Sequence, residues 1–165
     1  MNDVREQLVR DHGELEQLLQ RLADDSAAPE PAALLSTWCQ FETRLLAHMD
    51  AEERYLLPLL DVSHTRESTQ TRAEHARIRQ LVSELGVAVE LHTARQAAIA
   101  ELIAILREHS AHEEETVYPL GSQRAEAHVQ TKISAALETG RRLASTLSNR
   151  VAAVMRRSNN DRARA

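Results

Sequence analysis

The pattern H-x-x-x-E-E-x-x-x-x-P occurs twice in this chain, 61 residues apart, and no other feature constrains its fold as strongly. One copy runs from His48 through Glu52 and Glu53 to Pro58, the other from His109 through Glu113 and Glu114 to Pro119. A lone histidine precedes each copy at a similar distance, His12 by 36 residues and His75 by 34. The chain reads as a duplicated helical hairpin, each half carrying H … H-x-x-x-E. On an α-helix, residues i and i+4 lie about 40° apart around the axis, one turn along. His48 and Glu52 therefore project together, as do His109 and Glu113, and both pairs fall within apolar stripes. A fold that buries those stripes buries four imidazoles and two carboxylates at one spot. Unpaired, such a cluster is costly. First-row divalent and trivalent metal ions remove the cost, because imidazole nitrogen and carboxylate oxygen are their natural ligands.

The rest of the periodicity is helical almost throughout. A first helix is predicted from about Asn2 to Leu22, with Leu8, His12, Leu15 and Leu19 on one face. Residues 23–33 (ADDSAAPEPAA) read as a linker. A second helix starts near Pro31, a residue suited to a first turn, and carries Phe41, Leu45, His48, Glu52, Tyr55, Leu56 and Leu59 in one stripe until Pro58 kinks or ends it. A third runs from about Thr65 to Leu85, with Gly86 as a stop or an extension to Leu91. Thr93 is the expected cap of a fourth, which reaches Pro119 with Leu102, Ile105, Leu106, His109, Glu113 and Val117 inward. A fifth, amphipathic helix follows from about Gln123 to Met155, and the final SNNDRARA is expected to fray. Only four glycines and 2% aromatic residues, with abundant Ala, Leu, Glu and Arg, agree with helix throughout. The expected fold class is all-α: an antiparallel up-and-down four-helix bundle with an additional C-terminal amphipathic helix.

Charge divides the chain at the same place. Residues 1–120 hold 11 basic and 22 acidic side chains, whereas residues 121–165 hold 9 basic and 3 acidic. The expected organisation is a bundle over 1–120 and a basic helix and tail over 121–165. The tail stripe of Val129, Ile133, Leu137, Ala144, Leu147, Val151 and Val154 would pack on the acidic bundle or on a second subunit, giving a homodimer. It lacks aromatic residues, so neither nucleic acid nor a membrane is an expected partner. No apolar run approaches the ~20 residues of a membrane span, the N-terminus lacks a leader's apolar segment, and Cys39 is the lone cysteine. Together these give a cytoplasmic expectation.

Six ligands related by a pseudo-twofold repeat suit two metals better than one. His12 and His48 would hold one, His75 and His109 the other, with Glu52 and Glu113 bridging. Each metal then has four protein ligands, or five with a shared oxo or hydroxo group, and an open position for a small molecule.

The order H … H-x-x-x-E … H … H-x-x-x-E over residues 1–120 resembles the hemerythrin-like, HHE cation-binding family. The resemblance implies a four-helix bundle with a non-heme di-iron centre that handles O2, nitric oxide or peroxide, and it implies His12, His48, Glu52, His75, His109 and Glu113 as the ligands. Two departures stand out. Oxygen-carrying hemerythrins have a further histidine one turn after the third-helix ligand, where this chain has Arg79. They also end on an aspartate one residue later than Glu113. Without the extra histidine the centre is more open and more symmetric. That suits sensing, detoxification or redox defence, with a peroxide-consuming activity as the enzymatic version and an external redox partner, better than reversible O2 carriage. Ferritin-like bundles use Glu-x-x-His, with the carboxylate first, and fit poorly. Zinc and manganese share the same ligand chemistry. The alternative function is a non-enzymatic, metal-stabilised interaction module acting through the basic helix.

Other residues carry weaker signals. Glu53 and Glu114 read as solvated groups or as groups that hydrogen-bond the ligand histidines. His112 is a neighbour rather than a ligand, and Tyr55 a core residue whose hydroxyl could reach the centre. His64, His92 and His128 read as surface residues, and Cys39 as a quiet small hydrophobe.

Overall fold

The computed structural model describes residues 3–27 and 31–162, and every regular element among them is helical. α1 spans Val4–Ala27, α2 Pro31–Ala51, α3 Thr65–Glu90, α4 Gln96–His112, α5 Tyr118–Ser122 and α6 Ala127–Arg162. α1 packs against α2 and α4, and α3 packs against the same two, so four long helices enclose one interior. α6 lies along α2 and also touches α1. Among the described residues no helix is long and apolar enough to cross a membrane.

Several boundaries differ from the sequence reading. α1 continues to Ala27, so little of the expected linker remains, and its residues 28–30 lie outside the described residues. Gly86 does not stop α3. It is a packing residue: a Cβ there would lie 3.1 Å from Trp38 Nε1. Thr93 does not cap α4, because its hydroxyl turns back to donate to the Ala88 carbonyl at 3.3 Å, and Arg95 stands at the N-cap. α6 continues to Arg162, through part of the segment expected to fray, and residues 163–165 lie outside the described residues.

The two repeats share a departure from α geometry. α2 ends at Ala51 and α4 at His112, and a π-helical turn follows each, over Glu52–Leu56 and Glu113–Val117. The Leu57 amide donates to the Glu52 carbonyl, and the Tyr118 amide to that of Glu113, five residues back. A proline ring clashes with the carbonyl four residues earlier in a continuous α-helix. The wider turn ahead of Pro58 and Pro119 leaves that register before the ring is reached.

Two apolar clusters fill the interior. One holds Leu15, Leu18, Leu22, Phe41, Leu45, Ile78, Val82, Leu102 and Leu106 among others. The second gathers Val4, Leu8, Ala51, Leu56, Leu57, Val117 and Tyr118 with Val129, Ile133 and Leu137 of α6. The stripe of α6 is thus used within its own chain over Val129, Ile133, Leu137 and Ala144, while Val154 is exposed. Along α1, His12 falls between Leu8 of the second cluster and Leu15 of the first. The polar residues of the repeat therefore form a layer between two apolar ones.

Gly140 interrupts the α6 stripe for a packing reason: a Cβ there would meet Ala47 Cβ at 2.5 Å. Gly140→Leu is expected to push α6 away from α2 and cost about 1–3 kcal/mol. Thermal unfolding measures this, and a midpoint at or above that of the parent chain would contradict it.

Candidate metal centre

All six residues singled out by the repeat meet in that polar layer. His12, His48, Glu52, His75, His109 and Glu113 are between 0% and 7% exposed. The His12 and His48 rings pair at 4.7 Å between centroids, and those of His75 and His109 at 5.0 Å. Each imidazole turns Nε2 toward the two central carboxylates. Glu113 Oε1 lies 3.2 Å from His109 Nε2 and 3.3 Å from His75 Nε2, and its Oε2 lies 3.4 Å from His12 Nε2. Glu52 Oε1 lies 3.3 Å from His48 Nε2, and its Oε2 3.4 Å from His75 Nε2. Ligands about 2.0–2.2 Å from a metal ion stand about 3.0–3.4 Å from one another around it. Glu52 Oε2 is buried without a well-aligned hydrogen bond. The donor set fits a metal.

The other ring nitrogens settle the orientation. Every Nδ1 faces a carboxylate outside the layer: His12 to Glu114 at 2.9 Å, His48 to Asp11 at 2.9 Å, His75 to Glu53 at 2.9 Å and His109 to Glu74 at 2.8 Å. An Nδ1–H that donates outward leaves the Nε2 lone pair directed at the centre. The outer carboxylates obey the repeat. Asp11 and Glu74 each precede the lone histidine of their half and hold the second histidine of that half. Glu53 and Glu114, as read from the sequence, hydrogen-bond the candidate ligands, each serving the lone histidine of the opposite half. Asp11 and Glu74 were not singled out in the sequence, although an acidic-histidine dipeptide at 11–12 and 74–75 marks both.

Arginines anchor this outer ring. Arg44 and Arg141 donate to Asp11 Oδ1 at 2.9 and 2.8 Å, the second of them from α6. Arg79, at the position of the oxygen carriers' extra histidine, stays out of the centre. It donates to Glu53 at 2.6 Å and to Asp50 at 3.1 Å.

The charges are strongly coupled. Burial alone would lower the pKa of His48, but the charge of Glu52 and the Asp11 hydrogen bond hold it well above the ordinary value. Burial opposes His75 in the same way, yet the hydrogen bond to Glu113 and the neighbouring Glu52 carboxylate raise it to about 10. Burial and the charge of Glu113 would raise Glu52, and His48 and His75 hold it low instead. Without metal, the centre thus balances its carboxylates with imidazole protons. Metal ions can take the place of those protons.

One central residue has no counterpart in the sequence reading. The Tyr118 hydroxyl donates to Glu52 Oε1 at 2.6 Å and lies 2.9 Å from His12 Nε2 and 3.3 Å from His48 Nε2. Burial, with the charges of Glu113 and Glu52, pushes the phenol well above its ordinary pKa. In an α-helix Tyr118 would sit about 140° around the axis from Glu113. In the π turn, residues five apart stack on one face. The available signal was the residue before each repeat's proline, Leu57 in one copy and Tyr118 in the other.

The remaining residues lie outside this set. Tyr55 is half-buried beside the second apolar cluster, with Lys132 Nζ 5.8 Å from its ring centroid. His112 shares Glu74 with His109, at 3.3 Å. His64 is half-exposed, and His92 and His128 are exposed. Burial, with the charge of Glu42, pushes the Cys39 thiol up.

Two groups of donor atoms come close enough to hold a metal ion: His12, His48, Glu52 and Glu113, and His75, His109 and Glu113, each within 4.8 Å. A family model, Hemerythrin HHE cation binding domain, matches residues 3–121. The chain belongs to this family. No curated protein and no solved structure matches it. The HHE match ends within α5, one residue before Ser122, so α6 and its Arg141 lie beyond it. The buried His/Glu layer could hold a metal ion.

Proposed function

We propose that the layer holds two iron ions and binds O2, nitric oxide or peroxide, in sensing, detoxification or redox defence. The observation that carries this reading is the two-sided imidazole arrangement: four Nε2 atoms converge on Glu52 and Glu113, while four Nδ1 atoms donate to carboxylates outside. His12 and His48 would hold one ion, His75 and His109 the other, and Glu52 and Glu113 both. Bound iron would supply an open coordination position and a one-electron couple at each ion. The outer carboxylates fix the tautomer of each imidazole and raise its basicity. Apolar clusters flank the layer on either side. Tyr118 holds a proton within 2.6 Å of Glu52, beside the His12 and His48 half. On the His75 and His109 side, residue 79 is an arginine engaged with Glu53 and Asp50.

The four helices are read as running alternately up and down. The interaction-module alternative has less support, since the apolar stripe of α6 and its Arg141 serve this chain's own bundle.

The test is titration of anaerobic, iron-loaded protein with nitric oxide, and separately with hydrogen peroxide, followed by absorption spectroscopy. A saturable spectral change with either small molecule is expected, and its absence with both would contradict the reading. Dioxygen release from peroxide would identify the enzymatic version.

A further inference from the structure

Beside the layer, a cleft of about 410 Å³ opens between α1 and α4. Dioxygen, nitric oxide and hydrogen peroxide need far less room, since a water molecule occupies about 30 Å³. The volume falls within the roughly 300–1,000 Å³ of small-molecule sites. Its walls are Leu15, Leu19, Phe41, Leu45, Met49 and Leu106, and His12, His48 and His109 also line it. The solvent side carries Gly13 and Ala111, with the Arg107–Glu16 pair bridging α4 and α1.

Gly13 is the informative residue. It lies within α1, where glycine is less favourable than alanine. The other three glycines are explained by packing, for a Cβ at Gly86, Gly121 or Gly140 would crowd Trp38, Leu56 or Ala47. A Cβ at Gly13 meets nothing within 4 Å. Packing does not require the glycine, and its missing side chain leaves the mouth open next to His12.

The charge around the cleft restricts its ligand. Glu16, Glu113 and Glu114 line it against Arg107, which Glu16 already pairs, and against His48 and His109, which Asp11 and Glu52, and Glu74 and Glu113, already pair. In the metal-free chain an anionic head is disfavoured there.

We infer that this cleft binds an apolar organic molecule with one uncharged oxygen head, the tail along the leucine walls and the head toward the imidazoles. The placement of the head rests on the metal-centre reading; the seat for the tail does not.

Octan-1-ol, titrated by ligand-detected NMR into the full chain with and without metal, tests this. Saturable binding is expected in both forms. Gly13→Leu and Ala111→Leu, each adding bulk at the mouth, should weaken it about tenfold or more, and octanoate should bind the metal-free chain about tenfold more weakly than the alcohol. Gly13→Ala should raise the thermal midpoint by about 2–4 °C. No saturable binding, or unchanged binding in both leucine variants, overturns the site. Octanoate binding to the metal-free chain as tight as the alcohol's overturns the uncharged class. Metal content is measured on the same samples. A chain that takes up no metal from iron-replete medium and still binds octan-1-ol sinks the metal reading and supports the cleft.

Discussion

Glu113→Ala is expected to lower the iron content of the purified chain from two ions to one or none. Glu113 belongs to both groups of donor atoms, and its two oxygens lie within 3.4 Å of His12, His75 and His109. Its removal takes a ligand from each ion at once. In the metal-free chain it also leaves the buried His75 and His109, whose pKa values Glu113 raises, without that counter-charge, and breaking a buried ion pair costs about 3–5 kcal/mol. The metal-free variant should therefore unfold at lower temperature than the metal-free parent. Glu113→Gln keeps the shape, removes the charge, and separates lost volume from lost ligand. Glu114→Ala is the contrasting neighbour. Among the described residues its carboxylate holds His12 Nδ1, from outside. Two ions should remain there, with affinity reduced about 10–100-fold. Metal analysis with chelator competition distinguishes the cases, and two tightly held ions in Glu113→Ala would sink the bridging assignment.

Ending the chain at Gly121, close to the limit of the HHE match, is expected to abolish cooperative folding. Composition and charge divide the sequence near this point, yet α6 packs into the second apolar cluster. Val129, Ile133 and Leu137 are buried against it. Burying a large aliphatic side chain contributes about 1.5–3 kcal/mol, so the three together contribute about 5–9 kcal/mol. Natural domains have only about 5–15 kcal/mol in total. Loss of α6 also removes Arg141 from Asp11, the carboxylate that orients His48. The shortened chain should show no sharp unfolding transition and should load metal poorly. A transition and metal content matching the full chain would show that residues 1–121 fold alone and that α6 is an accessory.

The sequence carried the placement of the inner layer because α-helical spacing decides it. His48 with Glu52, and His109 with Glu113, are i,i+4 pairs in apolar stripes, and duplication supplied the two lone histidines. The outer layer was half legible. Glu53 and Glu114 stand beside the repeat's carboxylates, but the roles of Asp11 and Glu74 depend on how the helices pack. Tyr118 was hidden by the local change from α to π winding, which α spacing cannot anticipate. The same change ends α2 and α4 ahead of their prolines. Gly86 and Gly140 looked like breaks because glycine is unfavourable within a helix; in both, a close neighbour on another helix explains the missing side chain.

Iron per chain, measured after iron-replete expression together with the absorption spectrum of the air-exposed protein, bears most directly on the two-metal centre. Two irons and near-ultraviolet charge-transfer bands are the expected result. One zinc, one iron, or no metal would contradict it.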